Sequence, residues 1–350
     1  MEPTIYDTRT LLGVFWDDNY MKPPENYWLS NFFGETMNFT TEAIDFSQIT
    51  DVRKLAPLVV PTAQGVPIYS AAERMTTVKP AYVKPKDPVT ASRMIRRAAG
   101  LGELGQLTPM TPQQRYQAIV ADIVRQHRFA IERRWEWLAA GAIIDGKVTL
   151  EDERYPRTVV DFERAAGHTV VLTAGNRWGD AGVSILDGIG GYRKIVRDAR
   201  FGGMTNRLTV GSDVWEVMRK DPEIKELLNT QYRLGANVNL KLGILEGLEV
   251  EYVGNLETLE IYVYSDYYQQ PDGTVVPYMS PKDIVLTSPS VRGVRCFGAI
   301  QDIGAQLQPL SVFTKMWAEQ DPSATMIMSQ SAPLMVPINP NATLKATVVA

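Results

Sequence analysis

Cysteine is nearly absent: Cys296 is the single one in 350 residues. No intrachain disulfide can form, and a thiolate zinc cage is excluded. Histidine is almost as scarce, with only His127 and His168, so a centre built from several imidazoles is excluded as well. No run of eighteen apolar residues occurs, which argues against a membrane-spanning helix. The first thirty residues lack the basic start and apolar stretch of a secretory signal. These absences predict a soluble intracellular protein. A basic surplus is missing too, since 36 Lys and Arg stand against 40 Asp and Glu, a net charge of −4. Coating a duplex through phosphate contacts needs the opposite balance, although a local basic patch remains compatible with it.

What is present is ordinary for a folded chain. Hydrophobic residues make up 45% and charged residues 22%, which excludes wholesale disorder. The length allows about two domains. Tyr6, Phe15, Trp16, Tyr20, Tyr27, Trp28, Phe32 and Phe33 crowd the first fifty residues without a sustained period, and Pro23-Pro24 interrupts any helix. So many rings predict an arm lying on something apolar. The alternative is an ordinary N-terminal segment folding back on its own domain.

Over residues 52–97, Pro57, Pro61, Pro67, Pro80, Pro85 and Pro88 punctuate short β-favouring runs. Those prolines exclude helix and central strands, because each removes a backbone donor. A long, edge-like hairpin with its turn near 73–77 fits. Arms of about 20 residues would carry its tip about 65 Å from the base. A compact chain of this length has a radius of gyration of only about 20 Å, so such a projection cannot be buried on its own subunit. A curled, locally packed loop is the other reading.

The strongest helix signal follows. Thr111-Pro112-Gln113-Gln114 is a capping box with proline at the first helical position. Tyr116, Ile119, Ile123, Val124, Ala130, Ile131, Trp135 and Leu138 then recur at helical spacing, and Gly141 offers a stop. The spacing predicts a helix over 112–140, a rod of about 43 Å that must lie along a sheet or another subunit. From 148 onward the pattern is β-rich with interspersed helices, an α+β chain with mixed sheets. Strands are expected at 157–162, 169–173 and 208–210, and a helix at 214–228 capped by Asp213 and Glu216. Leu259, Ile261 and Val263 share one face of a strand at 257–264, expected to pair with 274–278 across Pro271-Asp272-Gly273.

The chemical motifs fail one by one. Gly141 to Lys147 has phosphate-loop spacing, but Val148 replaces the hydroxyl residue, and a helix precedes where a strand is required. Gly188-Ile189-Gly190-Gly191 lacks dinucleotide-binding spacing and reads as a flexible loop. His127 reads as a solvated or interface side chain on the long helix, and His168 as a turn residue. Cys296 reads as a small buried hydrophobe. Glu151-Asp152-Glu153 is a solvated turn or an electrostatic partner site on a neighbouring chain. Arg93, Arg96, Arg97, Arg133 and Arg134 either pair across an interface, contact a polyanion, or do neither. No catalytic centre, cofactor site or metal site emerges.

Several stretches resemble one family, the major capsid protein of lambda-type tailed phages (capsid protein E). Phe39-Thr40-Thr41-Glu42 with Ser47-Gln48-Ile49 resembles its segment before an extended loop. Pro80-Ala81-Tyr82-Val83-Lys84-Pro85-Lys86, followed by Arg96-Arg97, is similar to the return limb of that loop. Arg292-Gly293-Val294-Arg295 with Phe297-Gly298 and Ile300-Gln301-Asp302 resembles a late stretch, and Gln330-Ser331-Ala332-Pro333-Leu334-Met335 the C-terminal strand.

The resemblance implies the Hong Kong 97-like coat fold. Its parts would be an N-terminal arm at 1–50, an extended loop at 51–97 and a peripheral domain with spine helix at 98–164. An axial domain would follow at 165–315 and a return to the peripheral domain at 316–350, including a strand near 343–349. It implies a non-enzymatic head protein of the virion, assembled in the host cytoplasm. Hexamers and pentamers would tile an icosahedral shell around double-stranded DNA, contacted non-specifically. Implied subunit-interface residues are Pro80, Tyr82, Lys84, Pro85, Arg96, Arg97, Arg133 and Arg134. Further implied partners are a portal, a separate scaffolding protein (no coiled-coil segment precedes the arm) and optionally a decoration protein. Nothing favours crosslinking through Lys79, Lys84 or Lys86. An encapsulin-like compartment shell is the alternative of the same fold.

Overall fold

The computed structural model describes residues 5–17, 26–41, 43–48, 74–90, 92–93, 111–152, 155–226, 238–240, 249–270, 272–306, 308–320 and 324–350. Its axis is a helix at Pro112–Ile144, about 50 Å long at 1.5 Å per residue. The capping box forms as expected. Thr111 Oγ1 accepts from Gln114 N at 3.3 Å, and Gln114 Oε1 accepts from Thr111 N at 2.9 Å. Among the described residues two short helices precede it, α1 (Thr8–Phe15) and α2 (Tyr27–Phe32), and the long helix is labelled α3.

Helix α3 runs past Gly141. That residue is helical and lies close to Val148, whose Cγ2 would sit 3.2 Å from an added Cβ. The stop comes instead at Asp145-Gly146, where Gly146 takes a positive φ of 66°. Arg164 closes the helix end: Nη1 donates to Ile143 O at 3.1 Å, to Ile144 O at 2.8 Å and to Thr343 Oγ1 at 3.2 Å. The bare Gly146 makes room for it, since a Cβ there would lie 2.8 Å from Arg164 Cβ.

Around α3 lie two three-stranded sheets. One has the order β1 (Phe33–Asn38), β15 (Gly293–Phe297), β18 (Pro333–Pro337), with β1 parallel to β15. The other has the order β16 (Phe313–Glu319), β17 (Ala324–Gln330), β4 (Lys86–Thr90). Pro88 sits on β4, an edge strand, the position proline tolerates. Two-stranded ribbons complete this half, β2 (Ile44–Gln48) with β3 (Arg74–Val78) and β5 (Lys147–Asp152) with β6 (Tyr155–Asp161), the latter packed on α3 through Val148, Leu150 and Val160.

A seven-stranded mixed sheet forms the other half. Its order is β7 (Thr169–Val171), β19 (Thr343–Thr347), β14 (Asp283–Thr287), β8 (Arg207–Val210), β11 (Leu259–Tyr264), β10 (Val250–Leu256), β9 (Val238–Leu240). Ile284, Leu286, Leu208, Val210, Ile261 and Leu344 belong to a core shared with α4 (Ile185–Asp198) and α5 (Ser212–Met218). Val285 and Tyr264 belong to the core around α3. Alternate residues of one strand therefore serve two cores, as the period-2 geometry of a strand dictates.

Several expectations are corrected. The hairpin turn is not at 73–77, because Arg74–Val78 is itself the returning strand, paired with Ile44–Gln48. Its β-branched residues Thr76, Thr77 and Val78 favour extension. The long-loop expectation, with Pro57, Pro61 and Pro67, lies outside the described residues. Gly188, Gly190 and Gly191 are helical, since Ser184 caps α4 and Ile185, Ile189, Tyr192 and Val196 bury one face. The helix expected at 214–228 ends at Met218. Its N-cap is Gly211, where a Cβ would meet Pro281 O at 2.3 Å, and Asp221 starts a separate turn by accepting from Ile224 N. Strand β11 pairs with β10 and β8 instead of 274–278. The Asp272-Gly273 turn closes a separate ribbon, β12 (Tyr267–Gln269) with β13 (Val275–Pro277), after Asp266 breaks the strand by accepting from Tyr267 N.

The two glycine environments predict opposite mutational signs. Gly146→Ala should lower the denaturation midpoint by about 1–3 kcal/mol equivalent, through strain and collision with Arg164. Gly190→Ala, in open space on a helix, should raise it by about 0.5–1 kcal/mol. Parallel urea titrations of both variants check this.

Candidate assembly surfaces

The segment 79–90 leaves the β2–β3 ribbon and is stitched to the body residue by residue. Val83 bridges Ser331 in antiparallel fashion, and Pro85 O accepts from Ser329 N at 3.1 Å. Pro80 is buried. The Tyr82 hydroxyl donates to Ala299 O at 2.5 Å and accepts from Gln301 N at 3.3 Å. Lys84 Nζ lies 4.7 Å from the centre of the Tyr82 ring, within cation–π reach.

Beside this segment is a cavity of about 190 Å³. It is lined by apolar Leu138, Leu150 and Pro333, by charged Lys84, Arg134, Glu151 and Asp152, and by Tyr82. Arg134 Nη2 sits 3.5 Å from Asp152 Oδ2, and its guanidinium lies 5.1 Å from the Trp137 ring centre. Glu151 pairs with Arg157 at 3.6 Å, both well exposed. Three of the expected interface residues, Tyr82, Lys84 and Arg134, thus share one mixed-charge rim. Pro80 and Pro85 flank it along the chain. Arg133 is exposed on the adjacent helix position, its carbonyl accepting from Tyr278 OH at 3.4 Å. Arg96 and Arg97 lie outside the described residues.

The middle of α3 carries what the sequence pattern concealed. His127, Arg128, Glu132 and Glu136 are all buried. His127, expected as a solvated or interface side chain, is instead buried within its own chain. Its Nδ1 meets Ser329 Oγ at 3.1 Å and its Nε2 meets Asp87 Oδ2 at 3.1 Å, because β4 and β17 lie on that side of the helix. A Ser–His–Asp chain results, but Ser329 is fully buried and shares its hydroxyl with Thr314 Oγ1 at 3.0 Å. No substrate carbonyl can reach it, so the constellation joins strand to helix. Arg128 pairs with Glu132 at 2.9 Å and lies 5.3 Å from the Trp16 ring centre.

Leu11, Phe15, Tyr27, Trp28, Leu29 and Phe33 are buried in the α3 core of their own chain. The N-terminal segment thus folds back on its own body, the second of the two readings. Its polar anchor is Glu136, which accepts from Trp28 N at 2.7 Å and from Leu29 N at 2.8 Å. Buried charged residues on a helix face look in sequence like a solvated stripe, and this is why they were missed. Cys296 is buried as expected, and burial pushes its thiol up to about 12. His168 ends a short 3₁₀ turn and is buried, with Nδ1 2.8 Å from Thr343 O. No group of metal-ligating side chains occurs among the described residues, and no described helix is long and apolar enough to cross a membrane.

Comparison with known proteins gives a consistent set of similarities. A family model described as phage major capsid protein E matches residues 7–348. The major capsid protein of Escherichia phage lambda is 29% identical over 319 residues, covering 90% of this chain and 91% of the relative. The major capsid protein of Enterobacteria phage phi80 is 29% identical over 344 residues, covering 97% and 98%. A crystal structure assigned to an E. coli prophage capsid protein superposes with TM-score 0.74 at 22% identity, over 99% of this chain and 100% of the other. One subunit from the mature capsid of bacteriophage PhiM1 gives TM-score 0.51 at 14% identity, over 95% and 89%. The α+β coat fold is thereby shown.

The buried imidazole carries a pH prediction. Burial pulls His127 below its usual range, opposed less strongly by the Asp87 carboxylate. The unfolded chain therefore holds more protons near the ordinary imidazole value, and this contribution to stability is lost as pH falls below about 6.5. His127→Gln should lose less stability than the parent between pH 7 and pH 5 in matched urea titrations. Parallel pH profiles would refute the assignment.

Proposed function

The chain belongs to the phage major capsid protein E family and is a structural component of the virion head, and we propose that its copies close into hexamers and pentamers of an icosahedral shell around double-stranded DNA. The observation that carries this reading is the family match, which runs through both cores, from the N-terminal segment to the last strand. The encapsulin-like alternative gains no support from any feature of the site.

The proposed division is an N-terminal segment at 1–50, folded on its own body over its described residues, an extended loop at 51–97, a peripheral domain at 98–164, an axial domain at 165–315 and a return at 316–350. Helix α3 is then the spine of the peripheral part. The seven-stranded sheet, drawn mainly from 169–287, is the body of the axial part. The last strand of the return, β19, is shared with that sheet and ties the two parts together.

Assembly through many modest contacts suits a chain whose exposed rims mix both charges. Each contact contributes little alone, and closure multiplies them. The segment 79–86 with the cavity at Lys84, Arg134 and Asp152 is the proposed intersubunit surface. Pro80, Tyr82 and Pro85 hold it in place, and Arg133 is exposed nearby; Arg96 and Arg97 are proposed as further interface residues from the family resemblance. A net charge of −4 suits an inner wall that encloses DNA without adhering to it. A scaffolding chain, a portal and a decoration protein are further proposed partners. No cofactor and no catalytic step are assigned.

Expressed alone and with a scaffolding chain, the protein should yield closed particles by sedimentation and electron microscopy. Lys84→Glu combined with Arg134→Glu should lower particle yield at least about tenfold, as like charges meet across the contact. Its thermal midpoint should fall by no more than a few degrees, since Lys84 is exposed and Arg134 gives up only a half-exposed pair with Asp152. A parent that remains monomeric at high concentration under both conditions would contradict the shell reading. A double variant that assembles normally would contradict the surface assignment.

A further inference from the structure

One large apolar side chain stands almost wholly in water. Ile303 is 94% exposed, on a short 3₁₀ turn at Ile303–Ala305. Single apolar side chains on a surface are ordinary, but the turn that presents this one is firmly anchored. Asp302 caps it, accepting from Gly304 N at 2.9 Å. The same carboxylate accepts from Gln330 Nε2 at 2.9 Å and pairs with Lys315 on β16. Ala305 N donates to Asp302 O and Gln306 N to Ile303 O, each at 3.0 Å. Gln306 then closes the turn in the left-handed region, with φ 53°. Beneath it Ala305 is buried in a small core with Ile300, Phe313 and Ala332, against which Tyr82 packs. Gln301, Gln306 and Gln308, all exposed and uncharged, flank this knob along the chain.

Tyr82 also lines the cavity of about 190 Å³, whose apolar walls include Val83, Leu138, Leu150 and Pro333. Ile303 of the same chain stands in water and does not fill it. We propose that this cavity receives Ile303 of a second copy of the chain, as an apolar knob in an apolar socket. The inference rests on the shell reading, in which segment 79–86 is a contact surface, and names what meets it there. Size agrees, because a cavity of about 150 Å³ accepts a benzene ring and the isoleucine side chain has only four carbons. The surroundings agree as well. Lys84, Arg134, Glu151 and Asp152 put both signs of charge on the socket rim. A carboxamide donates to an anion and accepts from a cation, so a collar of glutamines suits that rim. A charged collar would meet like charge at half of it. An apolar centre inside a polar surround is the common anatomy of a protein interface, and the centre contributes most.

Mixed crosslinking tests the contact, because it separates two copies from one. Full-length chains carrying only Ile303→Cys are mixed with full-length chains carrying only Ala81→Cys, a residue that lines the cavity. The first kind keeps an intact socket and the second an intact knob. Cys296 is buried, and each kind alone is the control. Oxidation is applied to particles and to the concentrated unassembled chain. The product joining unlike chains should exceed that of either control at least about tenfold, since a disulfide forms only between side chains already in contact. Ile303→Asp should lower particle yield at least about tenfold, while Ile303→Leu keeps it. The thermal midpoint of unassembled Ile303→Asp should match the parent, as this side chain covers little of its own chain. No excess of the unlike product, or a normal yield from Ile303→Asp, would overturn the proposal. So would a yield lost only when a scaffolding chain is present, which would seat the knob on that chain. A parent that forms no particles contradicts the shell reading, and the crosslink in the concentrated chain still decides the contact.

Discussion

Taking an ionised side chain out of water costs several kcal/mol unless a partner and hydrogen bonds replace the lost solvent. Helix α3 buries an imidazole, a guanidinium and two carboxylates within three turns, so each had to find a specific partner on a neighbouring element. His127 finds β4 and β17, Glu136 finds the backbone of α2, and Arg128 with Glu132 finds the ring of Trp16. Apolar packing alone would tolerate sliding between these elements. Directional bonds to buried charges do not, because a shift of one residue strands a charge. The positions of the N-terminal segment and of the loop base both follow from that constraint.

The same logic joins the two cores. At the far end of α3, Arg164 covers the last carbonyls and reaches Thr343, the first residue of β19. Two positions on, Lys345 bonds Asp145 at 2.9 Å and Asp283 at 3.1 Å, linking the end of α3 to strands β19 and β14. These contacts sit where the seven-stranded sheet meets the helix, and alternate residues of β14 complete the seam from either side. Helix and sheet are thus tied together, and the β5–β6 ribbon packs on the helix through Val148, Leu150 and Val160. For a shell subunit, that leaves a body joined across both cores, with the segment 79–86 on its surface.

Much of this was legible in the sequence. The capping box at Thr111 and the periodicity from Tyr116 to Leu138 located α3, since local chemistry decides a helix start. Collinear stretches from Phe39 to Met335 pointed to the coat fold. What stayed hidden depended on tertiary neighbours. Gly141 read as a stop until Val148 was seen to lie against it. The glycines of α4 read as a loop because the buried stripe of Ile185, Ile189, Tyr192 and Val196 is sparse. Strand β11 pairs antiparallel with 250–256 across the two-residue turn Glu257-Thr258 and parallel with 207–210, and no turn signal encodes the parallel crossover. Of the candidate site, Tyr82, Lys84 and Arg134 came from the resemblance, and the structure brings them to one rim. Glu136 had no sequence signal, because burial of a carboxylate depends on which segment folds over it.

In the proposed shell each subunit holds its own N-terminal turn and meets its siblings through the segment 79–86. A cryo-electron microscopy map of particles formed by the purified chain, at side-chain resolution, tests this most directly. The expected map has Trp28 seated on Glu136 of the same subunit, with the segment from Pro80 to Lys86 facing an adjacent one. A closed particle in which that turn instead lies on a neighbour's helix, or a preparation that forms no particle at all, would contradict it.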